Sequence, residues 1–293
     1  MANTALSPRP VAEVVAPGEK HWVGDGFHVH SMFYPGLRPE DFSPFLLLDY
    51  AAPHEFSPSS QRRGVGEHPH RGFETVTFAR KGEIEHRDSG GGGGRIAAGD
   101  VQWMTAGAGV VHEEKHSQDF GTTGGTLEMV QLWVNLPARL KMTAPKYQAL
   151  TAQSFPTFEL GPAEVRLFAG ELHGHRGPAQ THTPILVCEL AFRSNADLQL
   201  PVPVGHTALL LTTRGIVHAG PEATAIGAEH LARFNRAAPG PLQLHGSPGS
   251  EALLFCGEPL NEPVAAYGPF VMNTMEEIRQ AVVDYQSGKM GRL

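Results

Sequence analysis

A chain of 293 residues with a formal net charge of −7 and 18% charged residues has room for one large or two medium domains. No lysine and arginine run stands out, which argues against a nucleic-acid surface, and no apolar stretch approaches the length of a membrane span. Only two cysteines occur, Cys188 and Cys256, each inside an apolar run; this excludes a disulfide framework and predicts buried free thiols in a reducing compartment.

Thirty-four glycines and 24 prolines spread among short apolar runs signal many turns and hence many strands. The N-terminus lacks a basic segment ahead of an apolar core, so no signal peptide is expected and the expected location is the cytoplasm. Residues up to about Glu19 read as an extended, proline-punctuated arm. His21 to Tyr34 predicts a strand or hairpin, and Pro44 to Tyr50 a buried strand. A loop rich in Ser, Pro and Arg runs from Phe56 to Gly66. Phe73 to Phe78 alternates with β-branched residues and predicts a strand. Lys81-Gly82 is a turn, and Ile84 to Arg87 returns. Gly90 to Gly94 form a flexible hairpin loop; no Gly-Lys-Ser/Thr follows, so this is not a phosphate cradle. Thr126 to Asn135 is the clearest strand, and Pro137 to Tyr147 makes a proline-bounded exit toward a domain boundary. Further short runs follow at Val165 to Ala169, Ile185 to Phe192, Ala208 to Thr213 and Ala252 to Cys256. Met275 to Tyr285 predicts a helix, capped by Asn273 or Thr274, with Glu276 and Glu277 in its first turn and Gly288 beyond its end.

The chemistry concentrates in two short spacings. His68 and His70 flank a proline, and in a strand residues two apart share a face. About forty residues later His112 and Glu114 repeat the spacing. Two such pairs on neighbouring strands put three imidazoles and a carboxylate around one point, a donor set for a transition metal. A lone histidine is usually a surface or satisfied core residue, and the chain has 16, so the pairing carries the argument. The fourth donor is open at this point. Glu74 shares the strand parity of His70 and Glu114 that of His112. Glu113 and Glu67 have the wrong parity, and His116 falls past the strand end. His86 suits a supporting role, since a ligating histidine usually donates its second ring nitrogen to another group. Phe73, Trp103 and Met104 read as core. There is no Gly-x-Ser-x-Gly elbow and no Cys-x-x-Cys, and His112-x-x-x-His116 lacks the glutamate-bearing helix of a zinc protease. A degenerate repeat also shows. Setting Gly215 against Gly82 places Pro201 and Pro203 where His68 and His70 stand, and Thr207 where Glu74 stands.

The segment His68-Pro-His-Arg-Gly-Phe-Glu-Thr-Val-Thr77 resembles the signature of the pirins, in particular bacterial pirin-like proteins within the cupin superfamily. Gly99 to Gly107, Val111-His112, Leu132 to Pro137, Lys141-Met142, Gly257 to Leu260 and Tyr267 to Thr274 follow in the family's order. The resemblance runs from about residue 20 to the end. It implies an all-β chain of two stacked cupin (double-stranded β-helix, jelly-roll) domains with a C-terminal helix. Residues 1–145 would form the metal-binding domain, and 146–293 a second domain without metal ligands that ends in the helix. It implies His68, His70, His112 and Glu114 as ligands, settling the fourth position for Glu114, and Thr105 in place of the usual cupin proline.

The implied cofactor is one divalent transition metal, Fe(II) by family expectation; Mn, Ni, Cu and Zn suit the same donors. The implied activity is that of a quercetin 2,3-dioxygenase, an oxidoreductase cleaving flavonols with O2 and releasing carbon monoxide, with Glu114 taking the substrate proton. The alternative it implies is a non-enzymatic, redox-sensitive metal-binding partner of a transcription factor or metabolic enzyme, with no direct contact to nucleic acid or membrane.

Overall fold

The computed structural model describes residues 6–195 and 197–293. The chain is an all-β protein of two cupin-type domains, with three short helices among the described residues. No helix of the described residues is long and apolar enough to cross a membrane. The first five residues of the expected N-terminal arm lie outside the described residues. Beyond them, Val11–Val15 pairs antiparallel with Leu231–Phe234.

Two compact units emerge, each built from two segments. One comprises Gly18–Ser154 with Leu260–Leu293; the other comprises Phe155–Pro259 with the segment ending at Pro17. The expected boundary at 145–146 falls close to the Ser154–Phe155 crossing. The placement of the tail helix differs from expectation. Met275–Gln286 belongs to the first unit, because Ile278 and Ala281 bury against Val111, Phe270, Met272 and Met290. Its N-terminus has a reciprocal cap. The Thr274 hydroxyl accepts from the Glu277 amide, and the Glu277 carboxylate accepts from the Thr274 amide.

The first unit faces a seven-stranded sheet with a four-stranded one. The larger runs in the order Lys146–Leu150, Val101–Thr105, Phe73–Lys81, Gly125–Asn135, Phe45–Phe56, Phe27–Phe33, His21–Val23. The smaller runs Gly64–His70, Val110–His116, Glu83–Asp88, Gly93–Ala97. Phe27, Val29, Ala51, Phe56, Ile84, Leu127 and Met129 fill one end of the unit. The predicted strands are all present, most within one or two residues of their expected ends, and the strand expected over Pro44 to Tyr50 runs on to Phe56. The short helix Gln118–Thr123 was not expected; Ser117 caps it by accepting from the Phe120 amide.

The second unit repeats the plan, with the smaller sheet in the order Asp197–Leu200, Leu242–Gly246, Ile216–Ala219, Thr224–Gly227. Gly82 and Gly215 occupy equivalent hairpin turns, both at positive φ. Register then fixes the rest. His86 lies opposite Glu114, and Ala219 opposite Leu244. His68 lies opposite His112, and Leu200 opposite Leu242. The positions matching His68, His70, His112 and Glu114 are therefore Leu200, Val202, Leu242 and Leu244, all buried in the core of the second unit. The sequence alignment of Pro201 and Pro203 with the histidines is one residue out of step. The connection that follows is one residue longer in the second unit, whereas Thr207 does match Glu74. Leucine and valine leave no donor at those four positions.

Two buried ionisable groups in the first unit lie apart from the histidines. Lys141 is 1% exposed. Its ammonium donates to the carbonyls of Gly72 (2.8 Å) and Val271 (3.0 Å) and to Asn135 Oδ1 (2.7 Å). Burial pushes its pKa down to about 8, which leaves it charged at neutral pH. It ties the corner after His70 to the strand Phe270–Met272. Glu74 is likewise buried, accepts from Thr105 Oγ1 at 2.6 Å, and burial raises its carboxyl to about 7.

Lys141→Met should lower the unfolding free energy by about 2–3 kcal/mol, since it strands buried acceptors; urea denaturation reads this, and an unchanged midpoint would refute it. Glu74 holds its proton in the folded state more tightly than in the unfolded one. Its stabilising contribution is present below about pH 4.5 and is lost as pH rises through about 7. Compared with Glu74→Gln, the native chain should lose up to about 3 kcal/mol between those limits; parallel pH profiles of the two would contradict the assignment.

Candidate metal centre

Gly64–His70 is an edge strand of the four-stranded sheet, so Pro69 costs no ladder bond that the fold needs. It pairs with Val110–His116, placing His68 directly opposite His112 and Pro69 opposite Val111. Alternation turns His68 and His70 to one face and His112 and Glu114 to the same interior. A register irregularity between His112 and Glu114 lets the strand bend around that point. The chain leaves the strand through Arg71-Gly72. Gly72 has φ +88°, and a Cβ there would meet the Val271 carbonyl at 2.0 Å, so only glycine fits the corner.

The three imidazoles converge. Ring centroids are 4.8 Å apart for His68–His70, 4.3 Å for His68–His112 and 4.8 Å for His70–His112. One donor atom from each lies within 4.8 Å of the other two. Their tautomers follow from their partners. His68 Nδ1 lies 2.8 Å from the Gly66 carbonyl and His70 Nδ1 lies 3.2 Å from that of Pro269. A carbonyl only accepts, so each Nδ1 carries the proton and each neutral ring keeps its Nε2 lone pair. Burial, with the neighbouring His68, drives His70 down to about 3. Burial, with His70, His68 and His86, holds His112 well below its ordinary range. Both are uncharged at neutral pH, as a ligating imidazole must be.

His112 is fixed by a longer chain. Its Nδ1 lies 3.3 Å from His86 Nδ1, and His86 Nε2 lies 3.0 Å from Asp88 Oδ2. The carboxylate accepts, so His86 carries its proton on Nε2. His86 Nδ1 then accepts from His112 Nδ1–H, and His112 Nε2 is left with its lone pair. That Nε2 is buried and has no hydrogen-bond partner. Burial pushes the Asp88 carboxyl up, but bonds from His86 and the Gly92 and Gly90 amides outweigh this and hold it below the usual carboxylate range. Asp88 Oδ1 accepts from Gly90 N at 2.8 Å and Gly92 N at 2.9 Å. A Cβ on Gly92 would lie 2.4 Å from Asp88 Oδ2. The glycine run thus wraps the Asp88 carboxylate, a more specific task than the flexible loop expected from sequence. Tyr147 stacks on His86 at 4.8 Å and 13°.

Glu114 forms an overlapping donor group with His86 and His112. Its Oε1 accepts from Gln102 Nε2 and lies 3.2 Å from Thr77 Oγ1, which fixes one oxygen and leaves Oε2 for a ligand or a proton. The remaining candidates fall elsewhere. Glu74 takes the opposite face to Phe73, because the corner at Gly72 ends the strand of His70 and resets the parity. Glu113 pairs with Arg87 and, at 2.7 Å, with Lys115. Glu67 is exposed. His116 donates from Nε2 to the Gly26 carbonyl at 2.9 Å, among Phe27, Phe56 and Phe120. Trp103 and Met104 are buried core residues.

His68, His70 and Glu114 border a cavity of about 280 Å³ whose walls include Phe27, Trp133 and Asp49. Trp133 packs on Phe73 at 4.3 Å and lies 5.2 Å from His70. Burial raises the Asp49 carboxyl, which accepts from Ser31 Oγ at 2.5 Å. Trp133, Asp49, Asp88, Gln102 and Thr77 were not singled out by sequence. They come from five different strands, and only the glycine run beside Asp88 gave a local signal. Three convergent rings whose Nδ1 atoms are engaged and whose Nε2 atoms face one another's donors, one of them a buried atom without a partner, fit a bound metal ion.

Comparison with known proteins agrees with this geometry. The Pirin family model matches residues 26–134, and the model of the pirin C-terminal cupin domain matches 187–291. A Pseudomonas aeruginosa protein named, as a provisional assignment, quercetin 2,3-dioxygenase is 48% identical over 97% of this chain and 99% of its own. A pirin-like protein of Solanum lycopersicum is 39% identical over 99% and 97% respectively. The crystal structure of a quercetin 2,3-dioxygenase from Acinetobacter baumannii superposes with a TM-score of 0.92 at 45% identity, covering 97% of this chain and 99% of that one. Relatives matched along nearly their whole length, together with two family models in the expected order, establish that the chain belongs to the pirin family.

Proposed function

We propose that the chain is a metal-dependent dioxygenase of the quercetin 2,3-dioxygenase type, opening a flavonol ring with O2. His68, His70, His112 and Glu114 would hold the metal, with Fe(II) the expected ion. The observation that carries this reading is the buried, unpartnered His112 Nε2 grouped with the imidazoles of His68 and His70 beside a cavity. The relatives named for this activity support it. An ion bound there would lower the pKa of a substrate hydroxyl and supply the electron-transfer chemistry that O2 requires.

The chain's own residues supply the rest. A cavity of about 280 Å³ is close to the lower end of small-molecule sites, so a flat molecule of a few rings would fill it. Phe27 and Trp133 give it aromatic walls, against which such rings pack. Val23, Val29, Val65 and Met129 add apolar surface to its lining. Glu114 Oε2 accepts the proton of the flavonol 3-hydroxyl while Gln102 and Thr77 hold Oε1 in place. Asp88 and His86 keep the His112 proton on Nδ1 and so keep Nε2 available.

The protein purified without added metal should contain about one transition-metal ion per chain by mass spectrometry, and His68→Ala/His70→Ala should contain almost none. Anaerobic mixing of the iron form with quercetin, followed by O2, should consume one O2 per flavonol. No turnover above that double variant would remove the dioxygenase reading for this substrate. Redox-dependent capture of a protein partner in its place would favour the regulatory alternative. Glu114→Gln should lower kcat by about 10²–10⁴-fold. His86→Phe should weaken metal affinity about 10–100-fold in a chelator competition, and an unchanged affinity would contradict the tautomer assignment.

A further inference from the structure

The second barrel has a cavity at the place that corresponds to the first barrel's cavity. It measures about 580 Å³, roughly twice the volume of its counterpart. Leu186, Val202 and Cys256 line it. By register these match Leu47, His70 and Trp133, which line the cavity of the first barrel. The exchange of an indole for a thiol at the Trp133 position accounts for part of the extra room.

An unbalanced charge lies behind one wall. Arg9 is fully buried. Its guanidinium donates to the carbonyls of Val202 (3.0 Å), Pro203 (3.2 Å) and His206 (3.3 Å), and its Nε has no partner. Among the described residues no carboxylate pairs with it. A buried cation faced only by neutral carbonyls is expensive to maintain. A nearby anion would offset that cost. Two further basic side chains, Arg176 and His206, line the cavity together with one acid, Glu171. Arg176 is mostly exposed, and its 3.5 Å contact to Glu171 is a weak surface pair that leaves it free to reorient.

We propose that the second barrel binds a small organic carboxylate. Its apolar body packs on Leu186, Val202 and Cys256, and its carboxylate points toward Arg176 and His206, over the buried charge of Arg9. Leu200, Val202, Leu242 and Leu244 stand at the metal positions, so shape and charge hold this ligand without an ion. The site is independent of the dioxygenase reading.

Calorimetric titration of the full chain with 2-naphthoate and with its neutral analogue 2-naphthamide tests this. The carboxylate should bind with Kd below about 1 mM and the amide at least tenfold more weakly. His68→Ala/His70→Ala should leave naphthoate binding unchanged. Val202→Trp should abolish it by filling the cavity. Arg176→Glu, at an exposed position that does not threaten folding, should weaken it at least tenfold. Equal affinity for the amide, loss of binding in the histidine double variant, indifference to Arg176→Glu, or no naphthoate binding at all would each overturn the proposal.

Discussion

The first domain depends on bringing three imidazoles to one point with their protons on the outward nitrogens. Burial holds His70 and His112 neutral, but it does not decide which nitrogen carries the proton. The Gly66 and Pro269 carbonyls decide it for His68 and His70. For His112 the decision passes through His86 to Asp88. Each Nδ1 proton is directed outward, and the Nε2 lone pairs remain inside. The carboxylate at the end of the chain is in turn gripped by backbone amides of a glycine run. A loop that looks unspecific in sequence therefore helps to set the protonation of a ring three residues removed in the hydrogen-bond network.

The two barrels make an internal control. They share sheet order, turn positions and register, yet the positions of His68, His70, His112 and Glu114 in one are Leu200, Val202, Leu242 and Leu244 in the other. The architecture thus tolerates either a polar cluster that could hold a metal or an apolar core at the same place. The first requires every polar group to find a partner or a ligand, because a stranded one is costly in a buried setting. The second requires only close packing. This contrast also explains why the supporting residues of the first barrel are so many. Gln102, Thr77, Asp88 and His86 exist to satisfy or orient the donors, and the second barrel has Ala219 where the first has His86.

The tail helix shows how distant sequence reaches the centre. Asp284 accepts from Arg71 at 2.9 Å, and Arg71 follows His70 directly while also donating to the Ala108 carbonyl at 2.7 Å. Bonds from Lys289, Arg71 and Gln280 hold the Asp284 carboxyl well below the usual range. Lys141 secures the same corner from the other side through Gly72 and Val271. The orientation of His70 therefore rests on residues more than two hundred positions downstream.

Sequence alone determined the all-β class, most strands, the capped tail helix and the two spacings that bring His68, His70, His112 and Glu114 to one interior. These follow from local rules: period-two alternation, turn residues and the cap and acidic first turn of a helix, each readable within a dozen residues. Tertiary structure alone decided the rest. It excluded Glu74, because a glycine corner reset the strand parity that the count had assumed. It placed the helix with the first domain, because its apolar face finds Val111, Phe270 and Met272. It assembled Asp88, Gln102, Trp133 and Asp49 around the centre from separate strands, and no local pattern encodes which strands a sheet brings side by side.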